Sequence, residues 1–386
     1  MSATLIPPPA AEARPEASVF WRLSSDLLCI ADQDGRLLDA NPAWELLLGY
    51  SREELSKLGL LDLIHSDDHE EARVHFRAHT TGTAGAWAEV EPLEVRCRRA
   101  DGTFRWLRWT GYADGERIYA AGTDVTERKS RAMQVQRERE SALWYGRCLE
   151  ALDDDRFELH AQPIVDVVTG LTVQHELLIR MRDRNGALVP PGLFLPAAEQ
   201  HGIIAEIDRW VITQAARIAR AGHPVEINLS AHSLGDPSLY GFVARQLAAV
   251  GAEPSLIVFE ITETALLKDE AAACVFVERV KRLGCRVALD DFGTGYGGFT
   301  YLKRLPVDYL KIDIDFVRDL PQNPASQHVV RAVVSLARGF GQKTVAEGVE
   351  DAETLALLCE LGVDYGQGYH IGRPAPLSDT LRYSAR

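Results

Sequence analysis

The fold of the second half of this chain is decided by LIVFEITE at residues 256–263 and RVALDDFG at residues 286–293. Both are apolar, β-rich runs that finish in acidic residues. The same pattern recurs in VEINLS (225–230), YLKID (309–313) and KTVAEGVE (343–350). Helical segments separate these runs, and strands that alternate with helices predict a parallel sheet closed into a barrel. Chemistry in such barrels lies at the carboxyl ends of the strands.

Polar side chains stand where that rule expects a site. They are Asn228, Glu260, Glu263, Asp290, Asp291, Lys311, Asp313, Glu347 and Glu350. Side chains alternate along a strand, so Lys311 and Asp313 share a face. Carboxylates with one Asn and few His are ligands for Mg²⁺ or Mn²⁺ rather than for zinc, and cations would offset the repulsion among the acids.

Each motif alone has an ordinary structural explanation. Asp-Asp-Phe-Gly is more often a turn than a metal site, Asn-x-Ser is common, and Lys-x-Asp is often a surface pair. Occurring together, in order and at strand ends, they favour a functional site.

The segment Glu176-Leu177-Leu178-Ile179-Arg180, which follows Gln162-Pro163-Ile164, resembles the ExLxR form of the EAL signature. The runs above follow in the order of that family and close with Gln367-Gly368-Tyr369. The resemblance extends over nearly all of residues 150 to 376. It implies a modified TIM barrel at residues 151–386 that hydrolyses cyclic di-GMP to linear pGpG with two Mg²⁺ or Mn²⁺ ions.

The resemblance also implies a role for each matched residue. One metal would be held by Glu176, Asn228, Glu260 and Asp290, and the second by Asp290, Asp291 and Glu347. Lys311 would position the attacking water with support from Asp313, and Glu347 is either a general base or chiefly a metal ligand. Glu263 is counted with these catalytic residues. Contacts to the dinucleotide would come from Gln162, Leu178, Arg180 and Gln367.

Arg180 has an alternative role as the ion-pair partner of Glu176, four residues earlier. Its place on one strand face with Glu176 and Leu178 favours contact with a ligand. The chain departs from the family pattern at Gly297-Gly298, where two serines are usual and help tie the loop to Glu263. A diglycine loses more entropy on ordering, so we expect low basal activity or dependence on a dimer or an upstream signal.

The first half predicts a small α+β domain. Residues 1–18 are rich in Pro and Ala and predict a disordered tail. In residues 19–126, Asp34-Gly35 and Asp101-Gly102 each lie between apolar runs, which predicts hairpins. The runs IADQDGRLLDANPAWELLLGYSREEL, LIHSDDH, RRADGTFRWLRW and GTDVTERK resemble successive signatures of a PAS sensor domain.

The ligand of this sensor domain stays open. His65, His69, His75 and His79 lie in or near one helical stretch, and His69 or His75 could ligate a haem, although histidines on a polar helix are usually solvated. Trp106 and Trp109 alternate with other residues on a strand and favour core or dimer packing. No segment resembles a GGDEF cyclase domain.

Residues 127–150 are highly charged and predict a helical linker. Val135, Ala142 and Leu149 stand seven apart, as do Tyr145 and Leu152, while Glu138 interrupts the second row. The segment is therefore either a solvated connecting helix or a signalling helix that pairs across a homodimer.

The formal charge of −14 argues against binding to a nucleic-acid polymer. We find no apolar run long enough for a membrane span and no secretory signal, and expect a cytoplasmic protein. The six cysteines are far apart and predict reduced thiols.

Two alternatives to the enzyme remain. A non-catalytic receptor for cyclic di-GMP would signal through a protein partner, but such receptors lose ligands that are all present here. Another acid-rich barrel enzyme, such as one that stabilises an enolate on Mg²⁺, would not need the contiguous Gln-Pro-Ile, ExLxR and Lys-Ile-Asp motifs.

Overall fold

The computed structural model describes residues 15–80, 88–113, 116–293, 302 and 304–381. The chain divides into two compact units, residues 1–138 and 139–386. Within the described residues, no helix is both long enough and apolar enough to cross a bilayer. All six cysteines are free thiols, as expected, and four of them are buried.

The first unit is an α+β domain built on a five-stranded antiparallel sheet. Its strands are β1 (Leu27–Asp32), β2 (Leu37–Ala40), β3 (Ala88–Arg98), β4 (Phe104–Ala113) and β5 (Arg117–Asp124), in the order β2-β1-β5-β4-β3. Its helices are α1 (Pro15–Leu23), α2 (Ala43–Leu48), α3 (Arg52–Leu55) and α4 (His69–Thr80). Both predicted hairpin turns are confirmed, because Gly35 and Gly102 have φ of 79° and 84° between paired strands.

The core of this unit lies between the sheet and the short helices. Trp109 packs against Trp44 with ring centroids 5.7 Å apart, which agrees with the expected core role. Trp106 is half-buried, and the Lys129 ammonium lies 4.8 Å from its ring centre. Helix α1 begins at Pro15, before the predicted start of order near Val19. Residues 1–14 lie outside the described part, and the tail boundary at residue 18 stays a prediction.

One long helix, α5 (Thr126–Asp153), spans the segment predicted to be the linker. Its first turn is fixed to the sheet, because the Trp106 amide donates to the Thr126 hydroxyl at 2.9 Å and Asp124 accepts from the Thr126 amide at 2.8 Å. Val135 and Leu149 of the predicted seam are 46% and 37% exposed. Pairing through this seam stays a prediction.

The second unit is an eight-stranded closed barrel. Its strands are β6 (Phe157–Asp166), β7 (Thr172–Arg182), β9 (Val225–Asn228), β10 (Ile257–Thr262), β11 (Arg286–Phe292), β12 (Tyr309–Ile312), β13 (Lys343–Ala346) and β14 (Tyr365–Gly366). Two further short strands, β8 (Leu188–Val189) and β15 (Ala375–Pro376), flank it. Seven barrel strands run parallel and β6 runs antiparallel to both neighbours, which is the modification that the predicted TIM barrel required.

Helices surround this barrel. They are α6 (Pro191–Gln200), α7 (Ile204–Arg220), α8 (Ala231–Leu234), α9 (Leu239–Val250), α10 (Glu263–Lys268) and α11 (Glu270–Leu283), followed by Ile314–Val317, Pro324–Phe340, Ala352–Leu361 and Leu377–Thr380. Their apolar faces pack on the outward residues of the strands in one large core. The fold class predicted from the sequence is therefore confirmed in both halves.

Inward residues of the strands form two layers of different chemistry. Toward the amino ends of the strands lies a small apolar cluster, the barrel floor, made of Ile164, Val258, Ala288, Tyr309 and Val345. Residues two positions further along the same strands are polar, such as Glu260 after Val258 and Glu347 after Val345. The floor seals the barrel beneath the polar layer.

Candidate active site

A cavity of about 890 Å³ opens at the carboxyl ends of the barrel strands. Nine of the thirteen residues predicted from the sequence line it: Gln162, Glu176, Leu178, Arg180, Asn228, Glu260, Asp290, Glu347 and Gln367. The barrel therefore brings together residues that are up to about two hundred positions apart in sequence, since Gln162 and Gln367 are 205 positions apart.

The other four predicted residues do not line the cavity; they are Lys311, Glu263, Asp313 and Asp291. Lys311 lies beneath it, with a side chain that is 1% exposed. Glu263 begins α10 and is 2% exposed, and its carboxylate has no hydrogen-bond partner among the described residues. Asp313 caps the helix Ile314–Val317 by accepting from the Asp315 amide at 2.7 Å. A direct catalytic contact of Glu263 or Asp313 stays a prediction.

Three carboxylates lie at the bottom of the cavity and form what we call the acid cluster: Glu260, Asp290 and Glu347. One oxygen of each lies within 4.8 Å of the others. They come from β10, from β11 and from the residue after β13, so three neighbouring strands supply one side chain each. The sequence-based assignment had divided these acids between two metal sites, whereas the geometry gathers them into one group.

Lys311 is the counter-charge of the acid cluster. Its Nζ lies 2.5 Å from Glu347 Oε1, 2.8 Å from Glu260 Oε2 and 3.8 Å from Asp290 Oδ1. A buried ammonium among buried carboxylates offsets part of their desolvation cost. The predicted role of Lys311 places it near the reacting water, and its contact with Glu347 is compatible with that role.

Burial changes the protonation chemistry of these groups. Burial raises the pKa of Glu347 to about 7, against the opposing effect of Lys311, and Asp290 raises it further. Burial also raises the pKa of Glu260, which Glu176 and Asp290 reinforce. For Lys311, burial alone would lower the pKa, but the surrounding carboxylates outweigh it and the net pKa is raised.

Glu176 is held by amides rather than by the acid cluster. Its Oε1 accepts from Asn228 Nδ2 at 2.7 Å, and its Oε2 accepts from Gln367 Nε2 at 2.6 Å. Gln367 also reaches Gln162 Oε1 at 3.1 Å, and Gln162 in turn donates to the Gly372 carbonyl at 3.0 Å. This chain of hydrogen bonds fixes one wall of the cavity.

Asp291 departs from the expected arrangement. It has a φ of 57°, in the left-handed region that residues with a Cβ rarely adopt. Its side chain is not among those that line the cavity and is hydrogen-bonded with Asp313, while the charges of Asp290 and Lys311 also act on it. Burial, with Asp290 and Asp313, raises the pKa of Asp291 to about 6. The predicted metal set of Asp290, Asp291 and Glu347 is not brought together around the cavity.

Cationic side chains stand around the same cavity. Arg180, Lys268 and Arg318 line it, and Arg180 Nη1 donates to the Ile179 carbonyl at 2.8 Å. Arg180 makes no ion pair with Glu176 among the described residues, so the structure does not support the alternative role weighed from the sequence. Positive groups above an acid cluster suit a ligand that carries phosphates.

The acid cluster fits a hard divalent cation. Its donors are carboxylate oxygens, and Asp290 Oδ1 is buried with no hydrogen-bond partner among the described residues. The Asn228 carboxamide and Glu176 lie at the edge of the same group. A cation bound here would share its ligands with Lys311, which lies within 4 Å of all three acids.

Two buried acids escaped the sequence analysis. Glu226 on β9 is 0% exposed and lies 3.5 Å from Lys311 Nζ. Asp208 on α7 is 5% exposed and accepts from the hydroxyls of Ser230 and Ser233 at 2.7 and 2.6 Å, which fixes the turn after Asn228. The alternation of side chains along β9 could have indicated Glu226, because it lies two residues before Asn228. The apolar helix face around Asp208 could have indicated that this acid is buried.

The first unit has a different cavity, about 50 Å³ in volume, inside its own core. Its walls are almost wholly apolar, with Trp44, Leu63, Trp109 and His75 among them. His69 Nε2 is hydrogen-bonded to the Ile64 carbonyl at 2.9 Å. Of the two candidate haem ligands, His75 lines this cavity and His69 does not. The Gly297-Gly298 loop and the His79 side chain lie outside the described part.

The barrel and its acid-lined mouth define an EAL domain. The sequence model of the EAL domain family matches residues 146–374, and the chain belongs to that family. A PAS fold model matches residues 37–123, so the predicted order of the two domains is confirmed.

Similar proteins carry related names. The cyclic di-GMP phosphodiesterase PdeF of Escherichia coli is 38% identical over 65% of this chain and 34% of its own length. The cyclic di-GMP phosphodiesterase NbdA of Pseudomonas aeruginosa is 38% identical over 59% of this chain and 30% of its own length. The chain thus spans about a third of these curated relatives. The structure of the P. aeruginosa MucR phosphodiesterase in complex with c-di-GMP is 36% identical, with a TM-score of 0.59 over 61% of this chain and 99% of that one.

Proposed function

We propose that this protein hydrolyses cyclic di-GMP to linear pGpG in the barrel cavity, with divalent cations bound at the acid cluster. The observation that carries the proposal is the acid cluster with Lys311 beneath a cavity of about 890 Å³. The names of the relatives and the bound ligand of the MucR structure support the same substrate.

The chain's own residues bind and orient the substrate. Arg180, Lys268 and Arg318 stand where they can meet phosphate oxygens, and Arg180 can do so with two donors of one guanidinium. Gln162 and Gln367, which are held in a hydrogen-bonded chain, offer amide groups to the dinucleotide. Leu178 supplies an apolar contact on the same wall.

Proton transfer falls to groups at the bottom of the cavity. Glu347 has a pKa raised to about 7, so it can take a proton from water near neutral pH. Lys311 contacts Glu347 and Glu260 and can orient the water that attacks phosphorus. Glu347 must be deprotonated both to act as a base and to bind a cation, so the two roles share one pH dependence.

Mg²⁺ or Mn²⁺ would be held by Glu260, Asp290 and Glu347, with Glu176 and Asn228 adjacent. When bound, such cations lower the pKa of water and neutralise charge on phosphate. A second cation would require the Asp291 carboxylate to face the cavity, whereas it is hydrogen-bonded with Asp313 in this structure. We propose two cations in the active state, reached after a change at Asp291.

We also propose that the PAS domain regulates hydrolysis through α5 in a homodimer. Exposed apolar residues along α5, namely Met133, Val135, Leu143 and Leu149, support a partner on that helix. The C-terminal half of α5 packs into the barrel core through Cys148 and Ala151, which gives it a fixed contact with the catalytic domain.

The experiment is to incubate purified full chain with cyclic di-GMP and Mg²⁺ or Mn²⁺ and to separate the products by chromatography. We expect pGpG from the wild type and none from Glu176→Ala or Glu347→Ala. The matched control is Glu353→Gln, an exposed acid in the first turn of the helix Ala352–Leu361, which should keep wild-type activity.

The alternative is a receptor that binds cyclic di-GMP and signals through a protein partner. Tight binding by dimeric wild-type protein, without product under either metal, would replace the enzyme with this receptor. Product formation that depends on Glu347 would exclude it.

A further inference from the structure

Glu226 is a carboxylic acid at an unexpected depth in the barrel. It lies two residues before Asn228 on β9, so both side chains face the barrel interior, with Glu226 one layer deeper. Its register partner on β10 is Val258, a member of the apolar barrel floor. The side chain is 0% exposed and does not line the cavity.

Among the described side chains, Gln174 on the neighbouring strand β7, Glu260 on the neighbouring strand β10 and Lys311 act on Glu226. Gln174, which is 4% exposed on β7, donates from Nε2 to Glu226 Oε2. Lys311 Nζ lies 3.5 Å from the other oxygen, Oε1. Gln174 thus occupies one carboxylate oxygen, and the second, which lies on the side of the ammonium, has no hydrogen-bond partner among the described residues.

This arrangement places Lys311 between two sets of acids. Glu260, Asp290 and Glu347 line the cavity, whereas Glu226 is on the floor side. Without Glu226, every carboxylate contact of Lys311 would pull its ammonium toward the cavity and toward Glu347. Glu226 supplies an oxygen on the floor side, 3.5 Å from the ammonium, and Lys311 in turn favours the ionised form of Glu226 against the effect of burial, so contacts on both sides set the depth of the ammonium.

A packing role explains Glu226 poorly. A carboxyl group in an apolar layer costs free energy unless it is paired, and apolar replacement of buried ion pairs is often neutral or stabilising. The barrel floor has Val258, Val345 and Ile164 at the comparable depth, so the fold itself would accept an apolar residue here.

We infer that Glu226, oriented by Gln174, is a positioning residue that holds the Lys311 ammonium at the depth required for its action in hydrolysis. The inference rests on the proposed function and adds a residue outside the cavity to the same reaction. It concerns where Lys311 stands and does not require any particular bound cation.

The test compares Glu226→Gln with Asp364→Asn in the full chain. Glu226→Gln keeps the shape of the side chain and removes its charge. Asp364 is the matched control, because it is an acid at the opposite end of the barrel that bonds Lys343 and Thr344. Measurements are kcat and KM with Mn²⁺, the melting temperature, and the position of Lys311 Nζ in a crystal structure of each variant.

For Glu226→Gln we expect kcat to fall about tenfold, with KM and melting temperature unchanged and Lys311 Nζ displaced away from residue 226. Asp364→Asn should do the reverse, lowering the melting temperature with kcat unchanged. Gln174→Leu should change kcat in the same direction as Glu226→Gln, by a smaller factor. This opposite pattern is one that a purely structural role of Glu226 would not produce.

Unchanged kcat in Glu226→Gln, or a fall in melting temperature with no displacement of Lys311, would overturn the inference. If the wild type itself makes no pGpG, the proposed function fails separately. The crystallographic position of Lys311 then decides: displacement supports the positioning role, and an unmoved ammonium refutes it.

Discussion

The two cavities of this molecule differ in size and in chemistry. The cavity of the PAS domain has a volume of about 50 Å³ and nearly apolar walls, whereas the barrel cavity has about 890 Å³ and a bottom of carboxylates. The residues that line the first cavity are of the types found in any protein core. The carboxylates of the second cost free energy to bury, so a functional role explains them better than packing does. The buried charges therefore indicate the cavity in which chemistry takes place. The apolar walls of the other cavity do not identify a ligand for the PAS domain.

The largest effect should come from the centre of the barrel cavity. Lys311→Met removes the only described cation within 4 Å of the acid cluster and should lower kcat by about 10²–10³-fold. Lys281→Met is the control, because Lys281 pairs with Asp308 away from the cavity. Steady-state kinetics would contradict the assignment if both variants kept the same kcat.

Enlarging the cavity of the PAS domain should lower the stability of the first unit and leave hydrolysis in the barrel unchanged. Leu63 lines that cavity and is 2% exposed, so Leu63→Ala should lower the free energy of unfolding of the first unit by about 2–5 kcal/mol. Leu46, which is 84% exposed, is the matched control, and its replacement should cost less than about 0.5 kcal/mol. Denaturant unfolding measures both; equal costs would remove the distinction between core and surface.

Arg180 should act on substrate affinity. Arg180→Ala removes a half-buried guanidinium from the cavity wall and should raise KM by about 10–100-fold with a smaller change in kcat. Arg182, two residues later on the same strand, pairs with Glu158 outside the cavity and serves as the control. A larger effect on kcat than on KM would assign Arg180 to the transition state instead.

In the proposed regulation, helix α5 connects the PAS domain with the barrel. Inserting four residues beside Val135 rotates the exposed seam of α5 and should change kcat several-fold, whereas seven residues restore the face and should change it less. Initial rates of pGpG formation report the difference. The same rate for both insertions would argue against signalling through α5.

The smallest predicted effect is a pH dependence of cation binding. The pKa values of Glu347 and Asp291 are raised in the folded protein, to about 7 and about 6. In metal-free protein their stabilising contribution is therefore present below the unfolded pKa and is lost as pH rises through those values. Deprotonated carboxylates bind Mn²⁺, so the melting temperature gained on adding Mn²⁺ should be several degrees larger at pH 8 than at pH 6.

Differential scanning calorimetry at both pH values, with and without Mn²⁺, measures this gain. Asp290→Asn removes one ligand of the acid cluster and should reduce the gain at pH 8. An equal gain in melting temperature at both pH values would show that cation binding does not depend on the carboxylates whose pKa is raised.

The sequence alone predicted those features that follow from the alternation of side chains along a strand and from the positions of the strand ends. Glu176, Asn228, Glu260 and Glu347 stand where the periodicity required, because a barrel fixes inward residues by register. It also predicted the long linker helix, with bounds of Thr126–Asp153 instead of 127–150.

Other features depend on three-dimensional balance and were not predictable in this way. Asp291 follows Asp290 in sequence, yet it does not line the cavity, and no local pattern signals its left-handed backbone. Lys311 was expected beside a water, but its placement among three acids appears only when β10, β11 and β13 are assembled. Helix α1 begins in a Pro- and Ala-rich segment whose composition favoured disorder.

The most direct test of metal-dependent hydrolysis in the barrel is titration of chelator-treated full chain with Mn²⁺. Calorimetry would report cation binding, and the rate of pGpG formation would be followed in the same samples. We predict no product before Mn²⁺ is added and a rate that rises in proportion to the occupied sites, with both signals reduced in Asp290→Asn. Full hydrolysis in the chelator, or saturated cation binding without product, would contradict the proposal.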